Sequence, residues 1–384
     1  MASEVTEIPS GEKRLSRREI RRELLLMRAL QSRLVGPLLR RFAGPEYILE
    51  TGMGYWPSRV VLTAIEFGVF SELARGPLTL SESIDKFGWH PRAAKPLLDT
   101  LVALGLLRAD RRGRYRNSRK ANMFLDRNKP SYIGGLLELS STRLYDIWSG
   151  LPNLLQTGRP AAKEESGDHE FFSTLYQDPV ALESFLGGMT GISTGEAILI
   201  AARFPWRRFR TFVDVGAAQG ALPVRLALSH PHLTGASYDI AAVEPIFDKY
   251  VASFGLSERL HFISGDMFAG PLPGADVISF GHLLHGYSQE IRREMLAKAH
   301  AAVPTGGAVI VYDAMQNPAN RFNHMSLLSC LNIMLEMRDG FEASTAGCMD
   351  WVRDAGFERV GRTHLVGPTS MVFGFKPGQP PRAA

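Results

Sequence analysis

FVDVGAAQGALPVRLAL, residues 212–228, is the stretch whose reading decides the fold. An apolar run with one acid, Phe212 to Val215, leads into a loop of small residues and then an apolar run at helical spacing, which reads as strand, turn and helix. Gly216 and Gly220 let backbone approach a ligand closely in that turn. Two further pieces follow in order, YDI at 238–240 and GDMF at 265–268. Asp239 closes the next expected strand, 19 residues beyond Gly220. Doubly wound folds place a ribose-binding acid at roughly 20 residues. Asp266 ends a third strand, LHFISGD, where a carboxylate accepts a hydrogen bond from an adenine amino group while Met267 packs on the ring.

Acids at successive strand ends describe a site for an adenosine-bearing ligand. A nicotinamide dinucleotide needs a pyrophosphate site, normally G-x-G-x-x-G, and the loop Gly216-Ala217-Ala218-Gln219-Gly220 lacks that pattern. S-adenosyl-L-methionine carries no phosphate, and Asp214 is placed to hold its amino group directly or through water. The expected cofactor is therefore S-adenosyl-L-methionine, leaving as S-adenosyl-L-homocysteine.

At 384 residues, with 45% apolar and 22% charged side chains, the composition is that of a globular chain long enough for two domains. No apolar run approaches the roughly 18 to 20 residues of a membrane helix, and no signal-like core follows the N-terminal charges, so the expected location is the cytoplasm. Cys330 and Cys348 are too few and too unpatterned for a disulfide framework or a zinc site. Residues 1–43 hold ten Lys or Arg against five Asp or Glu, which is the whole net charge of +5. This arm reads as a basic amphipathic helix from about Ser16 to Val35, with Leu26, Leu30 and Leu34 on one stripe. Such a stripe packs on its own domain or a sister subunit, or lies on a membrane or nucleic acid; the first reading is preferred.

From Tyr55 to Leu73 the apolar spacing predicts one buried helix. LTLSESIDKFG, HPRAAKPLLDTLVALGLL and ADRRGRYRNS then read as helix, helix and a short basic hairpin around Gly113, a winged-helix outline. Arg108, Arg111, Arg112, Arg114, Arg116, Arg119 and Lys120 would suit DNA phosphates, but the second helix carries few base-reading groups. Nucleic acid and membrane are accordingly disfavoured as partners. Residues 121–210 read as mostly helical, with a polar break between Thr157 and Glu170. From Thr211 strands and helices alternate, which predicts a parallel sheet, and residues 358–366 and 369–377 close it as a strand pair.

Methyl transfer from a sulfonium needs alignment of the acceptor and removal of its proton, so a base is expected beyond a strand end near the cofactor. ADVISFG ends at Gly281-His282-Leu283-Leu284-His285, and His285 is the candidate, with Asp313 and Glu342 as acids able to orient it. His282, His285 and His324 also invite a metal, but no H-E-x-x-H motif or cysteine partner supports one, and none is expected.

With these motifs in place the chain resembles the S-adenosylmethionine-dependent O-methyltransferases that act on plant phenolics, hydroxyindoles and bacterial polyketides. VDVGAAQG, YDI, GDMF, HLLHGYS and GFEAST stand where that family has VDVGGGxG, an acid ending the second strand, GDMF, HxxHDW and GxERT. The resemblance covers roughly Tyr55 to Pro377. It implies an α/β Rossmann-like class I methyltransferase domain with a mostly parallel seven-stranded sheet, preceded by a mainly helical winged-helix dimerisation domain. It implies that Asp214, Gly216, Gly220, Asp239, Asp266 and Met267 bind the methyl donor, and that His285, flanked by Asp313 and Glu342, is the base. Phe185, Met189, His282 and Met337 would line the pocket of a small aromatic acceptor. The implied organisation is a basic arm over 1–43, a dimerisation domain over 44–125, a helical linker and pocket region over 126–200, and a catalytic domain over 201–384, assembled as a homodimer. The chain departs from the family at Ala217-Ala218, at Gly286-Tyr287 after the base, and at Gly281, where plant members often carry a lysine. Those departures keep open a C-methylating or non-methylating relative, and the winged-helix outline keeps open a DNA-binding regulator with a cofactor-sensing domain.

Overall fold

The computed structural model describes residues 45–129, 131–160, 175–316, 324–340 and 344–378. The helix expected from Ser16 to Val35, most of the polar break after Thr157, and Glu342 lie outside the described residues. The chain divides after Val61 into two units. In the first, α1 (Pro45–Gly52) exposes Tyr47, Ile48 and Leu49, and the rings of Tyr55 and Trp56 meet edge to face at 6.0 Å at the start of α2 (Tyr55–Glu66), a helix that continues past Val61.

The single helix expected from Tyr55 to Leu73 is two. Its apolar spacing continues across Phe67-Gly68, but Gly68 takes φ +68 and hands the chain to α3 (Val69–Arg75). Leu62, Ala64, Ile65, Val69, Phe70 and Leu73 are buried, whereas Tyr55 and Trp56 are exposed.

In the second unit α4 (Leu80–Phe87) starts at a capping box. The Glu82 amide donates to Thr79 Oγ1 at 3.2 Å, and the Thr79 amide donates to Glu82 Oε2 at 2.7 Å. α5 (Pro91–Ala103) has Pro91 in its first turn. β1 (Leu107–Ala109) and β2 (Tyr115–Asn117) pair antiparallel around Gly113, which completes the winged-helix outline. Short helices follow: α6 (Arg119–Phe124), α7 (Gly134–Leu139), α8 (Tyr145–Ile147) and α9 (Leu151–Thr157).

In α10 (Pro179–Arg203), Ala181–Arg203 is long and apolar enough to cross a membrane by length and composition alone. Several of its apolar residues pack in the domain interior, while Ile198 is exposed. Leu182 and Leu186 pack with Val243, and Ala197, Ile200 and Ala201 pack with Trp206 and Leu222. Near its middle α10 meets α7 backbone to backbone, since a Cβ on Gly135 would lie 2.8 Å from the Cα of Gly188.

The alternating region forms β3 (Thr211–Val215), α11 (Ala221–Ser229), β4 (Thr234–Asp239), α12 (Glu244–Ser253), β5 (Leu260–Ser264), β6 (Val277–Gly281), α13 (Gln289–Ala302) and β7 (Ala308–Ala314). Then come α14 (His324–Glu336), α15 (Thr345–Asp354), β8 (Glu358–His364) and β9 (Thr369–Phe375). The seven strands lie in the order β5-β4-β3-β6-β7-β9-β8. The first five are parallel, and β9 runs antiparallel between β7 and β8. Every residue of β7 is buried, as expected of a parallel strand covered on both faces. Phe204, Trp206, Phe212 and Phe375 belong to the core on one face, and Phe280, Met295, Leu296 and Val352 to that on the other. Cys330 and Cys348 are both buried and unbridged.

The C-terminal end of α11 leaves carbonyls without helical partners, and Arg259, just before β5, reaches both that end and the connection to β4. Its guanidinium donates to the carbonyls of Ala227 at 2.8 Å, His230 at 2.9 Å and Leu233 at 2.6 Å. A cation there also complements the helix dipole. Arg259→Met is expected to cost about 2–3 kcal/mol, seen as a thermal midpoint several degrees lower. An unchanged midpoint would mean that water satisfies those carbonyls equally well.

Candidate active site

The loop after β3 is held open by three left-handed residues, Gly216 (φ +68), Ala218 (φ +51) and Gly220 (φ +92). A Cβ on Gly220 would lie 2.8 Å from the Phe247 ring. Ala218 pays for a conformation that glycine adopts freely, and it is fixed by donating its amide to Asp239 Oδ2 at 3.3 Å. The Ile240 amide donates to Asp239 Oδ1 at 2.8 Å. Burial pushes the Asp239 carboxyl up to about 6, against those two amides. After β5, the Phe268 amide donates to Asp266 Oδ1 at 2.8 Å. Lys298 of α13 grips the same turn by donating to the carbonyls of Met267 at 2.8 Å and Phe268 at 3.1 Å.

These loops and α10 enclose a cavity of about 280 Å³. Of the residues singled out from sequence, Gly216, Asp239, Asp266, Met267, Phe185, Met189 and His282 line it. Asp214 lies inside β3, where Ser279 Oγ donates to its Oδ1 at 2.6 Å and burial pushes its carboxyl up to about 7. Gly220, His285, Asp313 and Met337 stand outside the lining residues, and Glu342 is outside the described residues.

Beside the cavity, His285 sits in a single tight turn, Leu284–Gly286, directly after β6. Its Nδ1 lies 2.8 Å from Asp313 Oδ1 at the end of β7. The Ala314 amide donates to the same oxygen at 2.9 Å. Arg292 of α13 is buried and anchors the turn through the carbonyls of Leu284 at 2.8 Å and His285 at 3.1 Å, with its guanidinium over the Trp351 ring. Burial alone would raise the Asp313 carboxyl, but His285 and His282 together hold it well below the usual carboxylate range. Ligand atoms of His282, His285 and Asp313 lie within 4.8 Å of one another, so these three, rather than a set with His324, have metal-like spacing. Their hydrogen bonds account for that spacing.

Two departures from the family pattern have steric explanations here. A Cβ on Gly281 would fall 1.9 Å from the Tyr312 ring, which occupies the space a longer side chain at 281 would need. A Cβ on Gly286 would come within 2.6 Å of Met337 Sδ, so Met337 packs directly beside the turn that bears His285. Tyr312, Tyr176 and Ser193 line the cavity without having been singled out from the sequence, and Tyr287, noted there only as a departure, lines it as well. Thr190 likewise ties α10 to the loop by donating to Gln219 Oε1 at 2.8 Å. Glu196 was missed as well; the available signal was a lone acid in the apolar segment GEAILI. Its Oε2 lies 2.6 Å from His282 Nε2, and Thr369 Oγ1 donates to its Oε1 at 2.5 Å.

The family model for the O-methyltransferase domain matches residues 148–358, and that for the O-methyltransferase dimerisation domain matches residues 49–127. The tetracenomycin polyketide synthesis 8-O-methyl transferase TcmO of Streptomyces glaucescens is 39% identical over 334 residues, covering 87% of this chain and 97% of that protein. The N,N-dimethyltransferase OxyT of Streptomyces rimosus is 36% identical, covering 81% of this chain and 90% of that protein. Among solved structures, human N-acetylserotonin methyltransferase in complex with SAM superposes with a TM-score of 0.80 at 23% identity, covering 88% of this chain and 98% of that one.

The strain at Ala218 is measurable. Relief of a left-handed alanine, less the extra freedom glycine gives the unfolded chain, leaves Ala218→Gly more stable by about 0.5–1 kcal/mol. A raised thermal midpoint is expected. A lowered one would show that the Ala218 methyl, which packs against the Leu182 and Leu186 cluster, contributes more than the strain costs.

Proposed function

Because the chain belongs to the O-methyltransferase family, we propose that it moves the methyl group of S-adenosyl-L-methionine onto a hydroxyl of a small aromatic acceptor, with His285 as the general base. The observation that carries this reading is the hydrogen bond between His285 Nδ1 and Asp313 Oδ1, 2.8 Å long, set beside a cavity lined by Asp239 and Asp266.

The donor set fits an adenosine-bearing cofactor. Each Asp239 oxygen takes one backbone amide and keeps lone pairs for ribose hydroxyls, and Asp266 has Oδ2 left for an exocyclic amine. Met267, Phe268 and Tyr287 offer apolar surface to a flat ring, the last two meeting edge to face at 5.4 Å. The cofactor supplies a methyl carbon already activated by a sulfonium. The chain's own work is alignment and proton removal. Asp313 accepts from His285 Nδ1, which fixes the tautomer and leaves Nε2 with the lone pair that takes the acceptor's proton. Asp313 then steadies the imidazolium so formed. Phe185 and Met189 offer apolar surface to the acceptor, with Met337 beside the base. The match to the dimerisation domain supports a homodimer.

The likeness to OxyT favours a second reading, transfer to an amine. A free amine attacks with its own lone pair and loses its proton afterwards, so it needs a base less than a phenol does. An imidazole braced by an acid therefore weighs toward oxygen.

His285→Ala is expected to lower turnover of a phenolic acceptor by about a hundred- to ten-thousand-fold, with affinity for S-adenosyl-L-homocysteine kept. A panel of hydroxynaphthoates, hydroxyquinones, hydroxyindoles and aromatic amines, read by mass spectrometry, tests the acceptor class, and full turnover by the variant would remove His285 as the base. Cofactor binding should also depend on pH. Ribose hydroxyls favour ionised Asp239, whose carboxyl stands at about 6 in the free protein. Affinity is thus flat above that pH and falls below it, by up to about tenfold per unit. Calorimetry with S-adenosyl-L-homocysteine between pH 5 and 8 reads this, and a flat profile would exclude Asp239 from the contact.

A further inference from the structure

Two imidazoles share one carboxylate oxygen. Asp313 Oδ1 lies 2.8 Å from His285 Nδ1 and 3.3 Å from His282 Nδ1, and the other ring nitrogen of His282 meets Glu196 Oε2 at 2.6 Å. His282 thus has a carboxylate at each end, and only an imidazolium can donate from both nitrogens. Its backbone is held at φ +49 while its amide donates to the Tyr312 carbonyl at 3.0 Å. A residue with a Cβ keeps that conformation only where its surroundings fix it, which directs attention to function.

We propose that His282 is a positioning residue, a standing cation that fixes Asp313 against His285 and limits how firmly Asp313 can hold a proton on His285. The proposal deepens the reading of His285 as the base and rests on it for its catalytic meaning. Charge counting shows the effect. With His282 cationic, the set Glu196, Asp313 and His282 carries one net negative charge while His285 is neutral, and the charge is balanced once His285 accepts a proton. A neutral side chain at 282 would leave two net negative charges and then one, so the proton would be held more tightly and returned less readily.

Burial would lower the His282 imidazole, but Glu196 and Asp313 outweigh it and raise it well above the usual histidine value. The other groups facing this cluster come from four elements. Glu336 of α14 is pushed up by burial and has Arg143 at 3.6 Å. Arg292 of α13 is committed to the turn carbonyls. Cys348 of α15 and Tyr312 of β7 are both pushed up by burial and stay uncharged. None of these joins the two imidazoles as Asp313 does.

Histidine nitrogen NMR on the full chain, with and without S-adenosyl-L-homocysteine, tests this without relying on turnover. In the wild-type protein His282 is expected to keep both ring nitrogens protonated from pH 6 to 8. In His282→Gln the titration of His285 is expected to move upward by on the order of one pH unit. A singly protonated His282 in the wild type, or an unmoved His285 titration in the variant, overturns the proposal. Should the variant fail to fold, the wild-type spectrum alone decides. Failure of the base reading is a separate outcome, seen as full turnover by His285→Ala while the titrations remain coupled.

Discussion

Asp313 keeps a charge in the protein interior, and much of the site's architecture serves that one carboxylate. A buried carboxylate is costly unless paired and hydrogen-bonded. Here it has two imidazoles and the Ala314 amide. The pairing requires that β6 and β7 end side by side, which their parallel register, Gly281 opposite Tyr312, provides. It also requires the chain to turn sharply after β6, which His282 does in a left-handed conformation and Arg292 secures from behind. The sheet order, the strained turn and the buried arginine therefore answer to a single electrostatic demand.

The rim of the cavity was readable because parallel strands buried on both faces leave near-continuous apolar runs, and their ends put acids on one side. Asp239 reaches the cavity wall for that reason, and Asp266 reaches it from the loop after β5, an edge strand that is largely exposed. Asp214 belongs to the same series by sequence, but it lies one residue deeper along its strand than Val215, which reaches the wall, and is taken up by Ser279. Side chains brought in from distant segments left weaker traces. Glu196 reads as an odd acid in an apolar helix, and nothing local says that it meets His282 or Thr369. The break at Gly68 was hidden because apolar periodicity runs straight through it.

Departures from the family pattern were visible as single letters, while their causes lay on neighbouring elements. Gly281 is small because the ring of Tyr312, one strand over, fills its space. Gly286 is small because Met337 packs against it from the segment after α14. Each is half of a pair whose other half is remote in sequence, so the letter alone reads as a loss. In space it is an exchange of volume. A side chain at 281 and the ring of Tyr312 compete for one region.

Helix α13 carries both Arg292 and Lys298, and the two side chains reach in different directions. One holds the turn that bears His285, and the other holds the turn that bears Asp266 and Met267. The helix is thus a strut joining the turn after β6 to the turn after β5. Any tilt or fraying of it would displace both walls in concert, so a ligand that quiets one end should stiffen the opposite end through this shared rod.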